Sequence, residues 1–291
     1  MRSFFNKRNE TDPYMYTDLA VERRRCDGDM GGVKYTSERW RSGTLERVRI
    51  LTEEGELAMG RPSGNYYTLN VGRFDLLTDE EIEEVTEDIA RLFCIAVDGV
   101  RAYPERILAV GLGNRRLGCD AVGPRAASHI RATMHIKELD PDTFTSLGCS
   151  EIAVLAPGVT AESGIGSSEV IRGVCRRIMP DLVIAIDAIA TRSEERLCST
   201  VQISDTGLFP GSGIGNYSSE LTERTLGIPI ISVGIPTVID SRIFRMNGVL
   251  DGELSGESML VSPKEIDEIT DVAAKIVGYA VNQAFGIRIG C

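Results

Sequence analysis

The sequence predicts an α/β fold: a three-layer domain in which a mostly parallel sheet is flanked by helices, with a small β-rich region towards the N-terminus. Three observations predict it. Wholly apolar runs occur at Ile107-Leu108-Ala109-Val110 and Leu182-Val183-Ile184-Ala185-Ile186, as in strands buried on both faces. Segments of helical periodicity separate such runs from Ile107 onward. Before them, residues 44–51 and 65–71 partly alternate apolar and polar side chains, as in a half-exposed antiparallel pair.

Taken in order, residues 1 to about 30 are polar, arginine-rich and irregular, with a break at Gly28-Asp29-Met30-Gly31-Gly32. Segments 44–51 and 65–71 read as strands of a hairpin-like region around Gly55, Gly60 and Gly64. Thr78 is placed to cap a helix with Glu81 at its third position, and Ile82, Val85, Ile89, Leu92 and Phe93 form one face of that helix. Strand 107–110 is followed by a helix over 124–136, with Pro124 in its first turn. Strand 152–156 turns at Pro157-Gly158. A helix over 168–178 ends at Met179-Pro180, and strand 182–186 follows. Val201-Gln202-Ile203 is a further strand. Another covers 228–234, where Pro229 is tolerable near the strand start or on an edge. The last helix starts at Pro263 and runs to about Ala284, with Ile266, Ile269, Val272, Ala273, Ile276 and Ala280 inward.

Composition narrows the function. A net charge of −11 over 291 residues lacks the basic footprint of a direct nucleic-acid binder. No run of ~18 apolar residues is present, so no membrane span is expected. The N-terminus turns charged too early for a signal peptide, which points to a cytoplasm-like compartment. Seven cysteines, an odd count with no C-x-x-C, fit reduced thiols. Cys119 reads as a small buried hydrophobe rather than a nucleophile. The two histidines, His129 and His135, fall in one predicted helix, so a histidine-dependent triad or zinc site is hard to assemble. Hydrolytic chemistry would then fall to carboxylates, and no cofactor is called for.

Two carboxylates stand out. Asp120 lies in the loop after the first apolar run, and Asp187 follows the second directly. Parallel sheets hold ligands in the crevice outside the carboxyl ends of their strands. Two acids brought together there do not both ionise readily, so one keeps a proton. That is how an acid/base pair activates water. The alternative is structural, with Asp187 capping a helix and Asp120 ordering a turn. Other motifs fail. Gly111-Leu112-Gly113 has Arg116 where a dinucleotide fingerprint needs glycine. Pro210-Gly211-Ser212-Gly213-Ile214-Gly215-Asn216 lacks the lysine of a phosphate loop. Asp205-Thr206-Gly207 spells an aspartic-protease tripeptide, but those folds are all-β, so Asp205 reads as a supporting loop residue.

Together these segments resemble the germination protease family of spore-forming bacteria. The resemblance rests on Tyr16-Thr17-Asp18-Leu19-Ala20-Val21-Glu22, Val110-Gly111-Leu112-Gly113-Asn114, Asp120-Ala121-Val122-Gly123-Pro124, Ala156-Pro157-Gly158-Val159, Ile184 to Ala190, Gln202 to Gly207, and Gly234 to Asp240. It implies an unusual aspartic endopeptidase that degrades small acid-soluble spore proteins in the spore core. It implies a zymogen that cuts off its own N-terminal segment, and a homo-oligomer, a tetramer. The family's catalytic aspartates fall on Asp120 and Asp187. Self-processing is expected between Asp18 and Leu19, giving a propeptide over 1–18 and a single peptidase domain over 19–291. The polar surroundings of that junction predict that it is exposed and extended. The family's fold is similar to that of hydrogenase-maturation peptidases. A second chemistry is therefore open, in which Asp120 and Asp187 hold a metal ion with Glu162 or Asp205. A non-catalytic binding module on the same fold is a third reading.

Overall fold

The apolar runs become the middle of one mixed sheet. The computed structural model describes residues 17–23, 30–99, 103–208, 220–246 and 259–286. Within them the strands are β1 (Val33–Arg39), β2 (Thr44–Ile50), β3 (Gly64–Asn70), β4 (Arg106–Gly111), β5 (Glu151–Leu155), β6 (Leu182–Thr191), β7 (Thr200–Ser204), β8 (Ile230–Asp240) and β9 (Leu260–Val261). The helices are α1 (Glu53–Met59), α2 (Asp79–Asp98), α3 (Val122–His129), α4 (Met134–Leu139), α5 (Pro141–Leu147), α6 (Thr160–Ser163), α7 (Ser167–Ile178), α8 (Glu223–Leu226), α9 (Ser241–Met246) and α10 (Ile266–Phe285). Strand order is β1-β2-β3-β7-β8-β6-β4-β5, with β9 on β8. The ladders β5-β4-β6-β8 are parallel, and those from β8 through β7 and β3 to β1 are antiparallel. The N-terminal β-rich region is thus an extension of the same sheet, joined through β3 and β7.

Strand alternation sorts the side chains into layers. One face carries Ile107, Ala109, Ile184, Ile186, Val201, Ile203, Ile231, Val233 and Ile235 against α2, α3 and α10. The opposite face is divided. Leu108, Val110, Val183, Ala185 and Ile230 meet Ile171 and Cys175 of α7. Val48, Ile50 and Tyr66 meet Leu19, Ala20 and Val21. Between these two apolar patches the same face presents Asp187, Gln202, Ser204, Ser232 and Gly234, which line a cleft.

Several elements follow the sequence closely. Thr78 and Glu81 form the reciprocal cap of α2. Pro229 lies just before β8, outside its ladder. Other elements differ. The helix expected over 124–136 stops at His129 and resumes at Met134. Asn282 of α10 causes the break, donating to the His129 carbonyl and accepting from the Arg131 amide. Buried Thr133 completes it by bonding the Ser150 carbonyl and the Ile152 amide. β2 and β3 pair as expected, but helix α1 lies between them, capped by Thr52 and by Gly60 in the left-handed region (φ 59°). The last helix begins at Ile266 rather than Pro263. No helix among the described residues is long and apolar enough to cross a membrane.

Candidate active site

Asp187 lies inside a strand rather than at its end. β6 continues to Thr191 because β8 stays paired with it as far as Ile239. Its other neighbour stops sooner. The β4 ladder finishes at the Gly111–Ile186 pair, and the Leu112 amide bonds the Ile186 carbonyl at 2.8 Å as the chain leaves the strand for a loop. That loop ends in a 3-10 turn, Gly118–Asp120, which carries Asp120.

Close backbone packing fixes the loop. A Cβ on Gly123 would stand 2.2 Å from the Leu112 carbonyl oxygen and 2.5 Å from that of Ile186. Only glycine lets the start of α3 approach β4 and β6 so closely. Gly113, at φ 110°, leaves room for Asp120, whose Oδ1 would be 2.9 Å from a Cβ there. Asp120 Oδ2 accepts the Asn114 amide at 2.8 Å. Thr237 of β8 donates to the Cys119 carbonyl at 2.6 Å, tying the turn to the sheet. Asp120 therefore does order its loop. Asp187 caps no helix, and its Oδ1 accepts the Ala188 amide at 2.9 Å.

The two acids differ in environment. Asp187 is 6 % exposed, whereas Asp120 is half-buried. Burial pushes the Asp187 carboxyl well above the usual range, and the charge of Asp120 pushes it further. Burial also raises Asp120, opposed by the Asn114 amide. Both carboxyls are raised, Asp187 the more strongly, so the pair resists full ionisation and favours keeping one proton.

The junction expected to be exposed is buried. Asp18 is 6 % exposed and Leu19 is fully covered. The Asp18 amide donates to the Ala190 carbonyl at 2.9 Å, and its Oδ2 accepts the Ala190 amide at 2.9 Å. Glu22 anchors the segment, accepting from the hydroxyls of Thr17 and Thr191 and from the Arg192 amide. The stretch can be buried because its polar groups find partners on the sheet at Ala190, Thr191, Arg192 and Gln202 and within the segment itself, where Thr17 bonds Glu22. Residues 1–16 of the expected propeptide and the glycine-rich stretch 210–216 lie outside the described residues. The cleft beside Asp187 has a volume of about 40 Å³, enough for a water molecule. Asp18, Arg61, Gln202, Ser204 and Ser232 also line it, while Asp120 does not.

The remaining candidates stand elsewhere. Both Asp205 oxygens are taken by Asn65, through its amide (2.7 Å) and Nδ2 (2.6 Å). Glu162 pairs with exposed Arg116. Among the described residues no group of three or more His, Cys, Asp or Glu side chains is placed to hold a metal ion. The described cysteines are free thiols. Burial and the nearby Asp120 push the Cys119 thiol up, away from a reactive thiolate. Arg61, Gln202 and Thr237 were not singled out as functional by sequence. Gln202 had a signal, a polar side chain in the otherwise apolar Val201-Gln202-Ile203. Arg61, in the turn after α1, had none.

An α/β sheet that sets a buried acid, Asp187, beside a water-sized cleft, with a second acid, Asp120, in electrostatic reach, is the layout of a hydrolase site. The chain belongs to the germination protease family, whose profile matches residues 13–250; it is a peptidase. It is 33% identical over 309 residues to the germination protease of Clostridium acetobutylicum, covering 92% of this chain and 94% of that one. It is 40% identical over 231 residues to that of Caldanaerobacter subterraneus subsp. tengcongensis, covering 77% of this chain and 69% of the relative. Among solved structures, a NiFe hydrogenase maturation protease from Thermococcus kodakarensis KOD1 aligns with a TM-score of 0.34 at 20% identity, over 62% of this chain and 94% of that one.

Proposed function

We propose that this peptidase is an aspartic-type endopeptidase in which Asp120 and Asp187 share one proton. Asp120, ionised, takes a proton from the attacking water, while Asp187, protonated, polarises the scissile carbonyl and then supplies its proton towards the leaving amine. The observation that carries this reading is Asp187, buried in a strand beside the cleft, its carboxyl raised by burial and by the charge of Asp120. The substrates are small acid-soluble spore proteins in the spore core. The chain is a zymogen that cuts its own Asp18–Leu19 bond. Family membership supports the substrate class and the self-processing, and the seat of Asp18 on the Asp187 face gives the cut a physical setting.

The test is cleavage of a purified small acid-soluble spore protein by the full chain. Asp120→Asn and Asp187→Asn should each lose nearly all turnover, a thousandfold or more on the order of a lost general acid or base, with circular dichroism unchanged. Wild-type rates in either folded variant would overturn the dyad.

A further inference from the structure

We propose that Arg61, with the Ala190 amide and the Gln202 side chain, is the subsite that reads an acidic side chain on the residue preceding the cleaved bond. The inference rests on the endopeptidase reading above. In the uncut chain, Asp18 occupies this subsite.

The contacts around Asp18 are those of a bound substrate residue. Its amide donates to the Ala190 carbonyl at 2.9 Å, as an added strand would. Its carbonyl, the one that belongs to the Asp18–Leu19 bond, accepts Gln202 Nε2 at 3.2 Å. Gln202 Oε1 takes the Ala20 amide at 2.8 Å, so one side chain grips both sides of that bond. The Asp18 carboxylate meets the Ala190 amide through Oδ2 and Arg61 Nη2 through Oδ1 at 3.4 Å. Leu19, the next residue, fills an apolar hollow lined by Val48, Ile50, Met59 and Tyr66. One cation and one apolar hollow therefore read an acidic residue followed by an apolar one.

The state of Arg61 makes the reading selective. Its side chain is 15% exposed, and Nη2 also serves the Thr17 carbonyl at 3.0 Å. Its Nε is buried without a hydrogen-bond partner. Once residues up to Asp18 depart, the guanidinium loses both the Thr17 carbonyl and the Asp18 carboxylate. Arg61 then lines the cleft as a cation that has lost its ion-pair partner, which favours an incoming carboxylate. An incoming acidic side chain relieves that state, whereas a neutral one leaves it and a basic one worsens it.

The experiment compares three peptides of otherwise identical sequence, with Glu, Gln or Lys preceding the same apolar residue. Wild-type enzyme, Arg61→Gln and Arg61→Glu are each measured as ratios of kcat/KM among the peptides, so that a general loss of folded enzyme cancels. Wild type should favour Glu over Gln by tenfold or more, mostly through KM. Arg61→Gln should bring the ratio near one, and Arg61→Glu should turn the preference towards Lys. An unchanged Glu-over-Gln ratio in the Arg61 variants means Arg61 only tethers the N-terminal segment, and the proposal fails. A wild type that cuts neither these peptides nor a spore protein defeats the endopeptidase reading itself. A second arm needs no folded Arg61 variant. The Asp18→Lys precursor should stall in self-processing while Asp18→Glu proceeds, and processing of Asp18→Lys at the wild-type rate overturns the proposal.

Discussion

Burial alone raises a carboxyl's pKa, but Asp187 also bears the charge of Asp120. That combination has an energetic consequence that can be measured without any substrate. Folded Asp187 binds its proton more tightly than it does in the unfolded chain, where the ordinary value is 3.8. Its stabilising contribution is complete below that value and is lost as pH rises through the raised, folded pKa. Asn at 187 keeps the oxygen that accepts the Ala188 amide and never ionises. Asp187→Asn should therefore match wild type in Tm near pH 3.5–4, roughly the ordinary carboxyl range, and exceed it increasingly towards neutral pH. Equal Tm values across that range would show that burial of Asp187 carries no cost. Thr237 acts on the other acid through the Cys119 carbonyl. Thr237→Val removes one part-buried hydrogen bond of about 1 kcal/mol. It should lower kcat roughly five- to tenfold while KM hardly moves, because Asp120 shifts and the substrate cleft does not. A change in KM alone would place Thr237 in substrate binding instead.

The strands that place the acids were legible because their apolar runs need no context to read: 107–110 and 182–186 both lie inside observed strands. The Thr78 cap was legible because its chemistry is local. What could not be read depended on distant partners. β1, Val-Lys-Tyr-Thr-Ser-Glu-Arg, is mostly exposed and exists through its ladder with β2. The gap between α3 and α4 depends on Asn282, more than 140 residues away. β6 extends past Asp187 because β8 does, which no window around Asp187 reveals. The site itself was half legible. Two acids after apolar runs were visible, but the polar stripe of Gln202, Ser204 and Ser232 beside them emerges only when β7, β8 and β6 are laid side by side. At this scale the critical join is α3 against β4 and β6. Gly123→Ala would drive a methyl into two carbonyl oxygens of neighbouring backbone. Backbone cannot swing aside as a side chain can, so the change should cost at least ~2 kcal/mol, a Tm fall of roughly 4–8 °C. An Ala variant that melts with wild type would mean that α3 moves freely on the sheet.

Across the whole molecule, the N-terminal segment and the sheet face form one continuous arrangement. Leu19, Ala20 and Val21 complete the apolar patch over β2 and β3, while Asp18, one residue earlier, faces the cleft shared with Asp187. The bond proposed for self-processing is thus already seated on the chain's own site and covered from outside. A second molecule would have to pull residues 17–22 away from Ala190, Thr191, Arg192 and Gln202 before reaching it, breaking several buried hydrogen bonds at about 1 kcal/mol or more each. Processing should therefore occur within one molecule. The fraction of precursor shortened per minute, followed by intact mass under activating conditions, should stay constant over a hundredfold dilution. Precursor carrying Asp187→Asn should remain full length even when mixed with active enzyme, since its junction is buried in the same way. A rate that falls in proportion to dilution, or rescue of the Asp187→Asn precursor by added wild type, would mean that residues 17–22 leave the sheet before the cut and are processed between molecules.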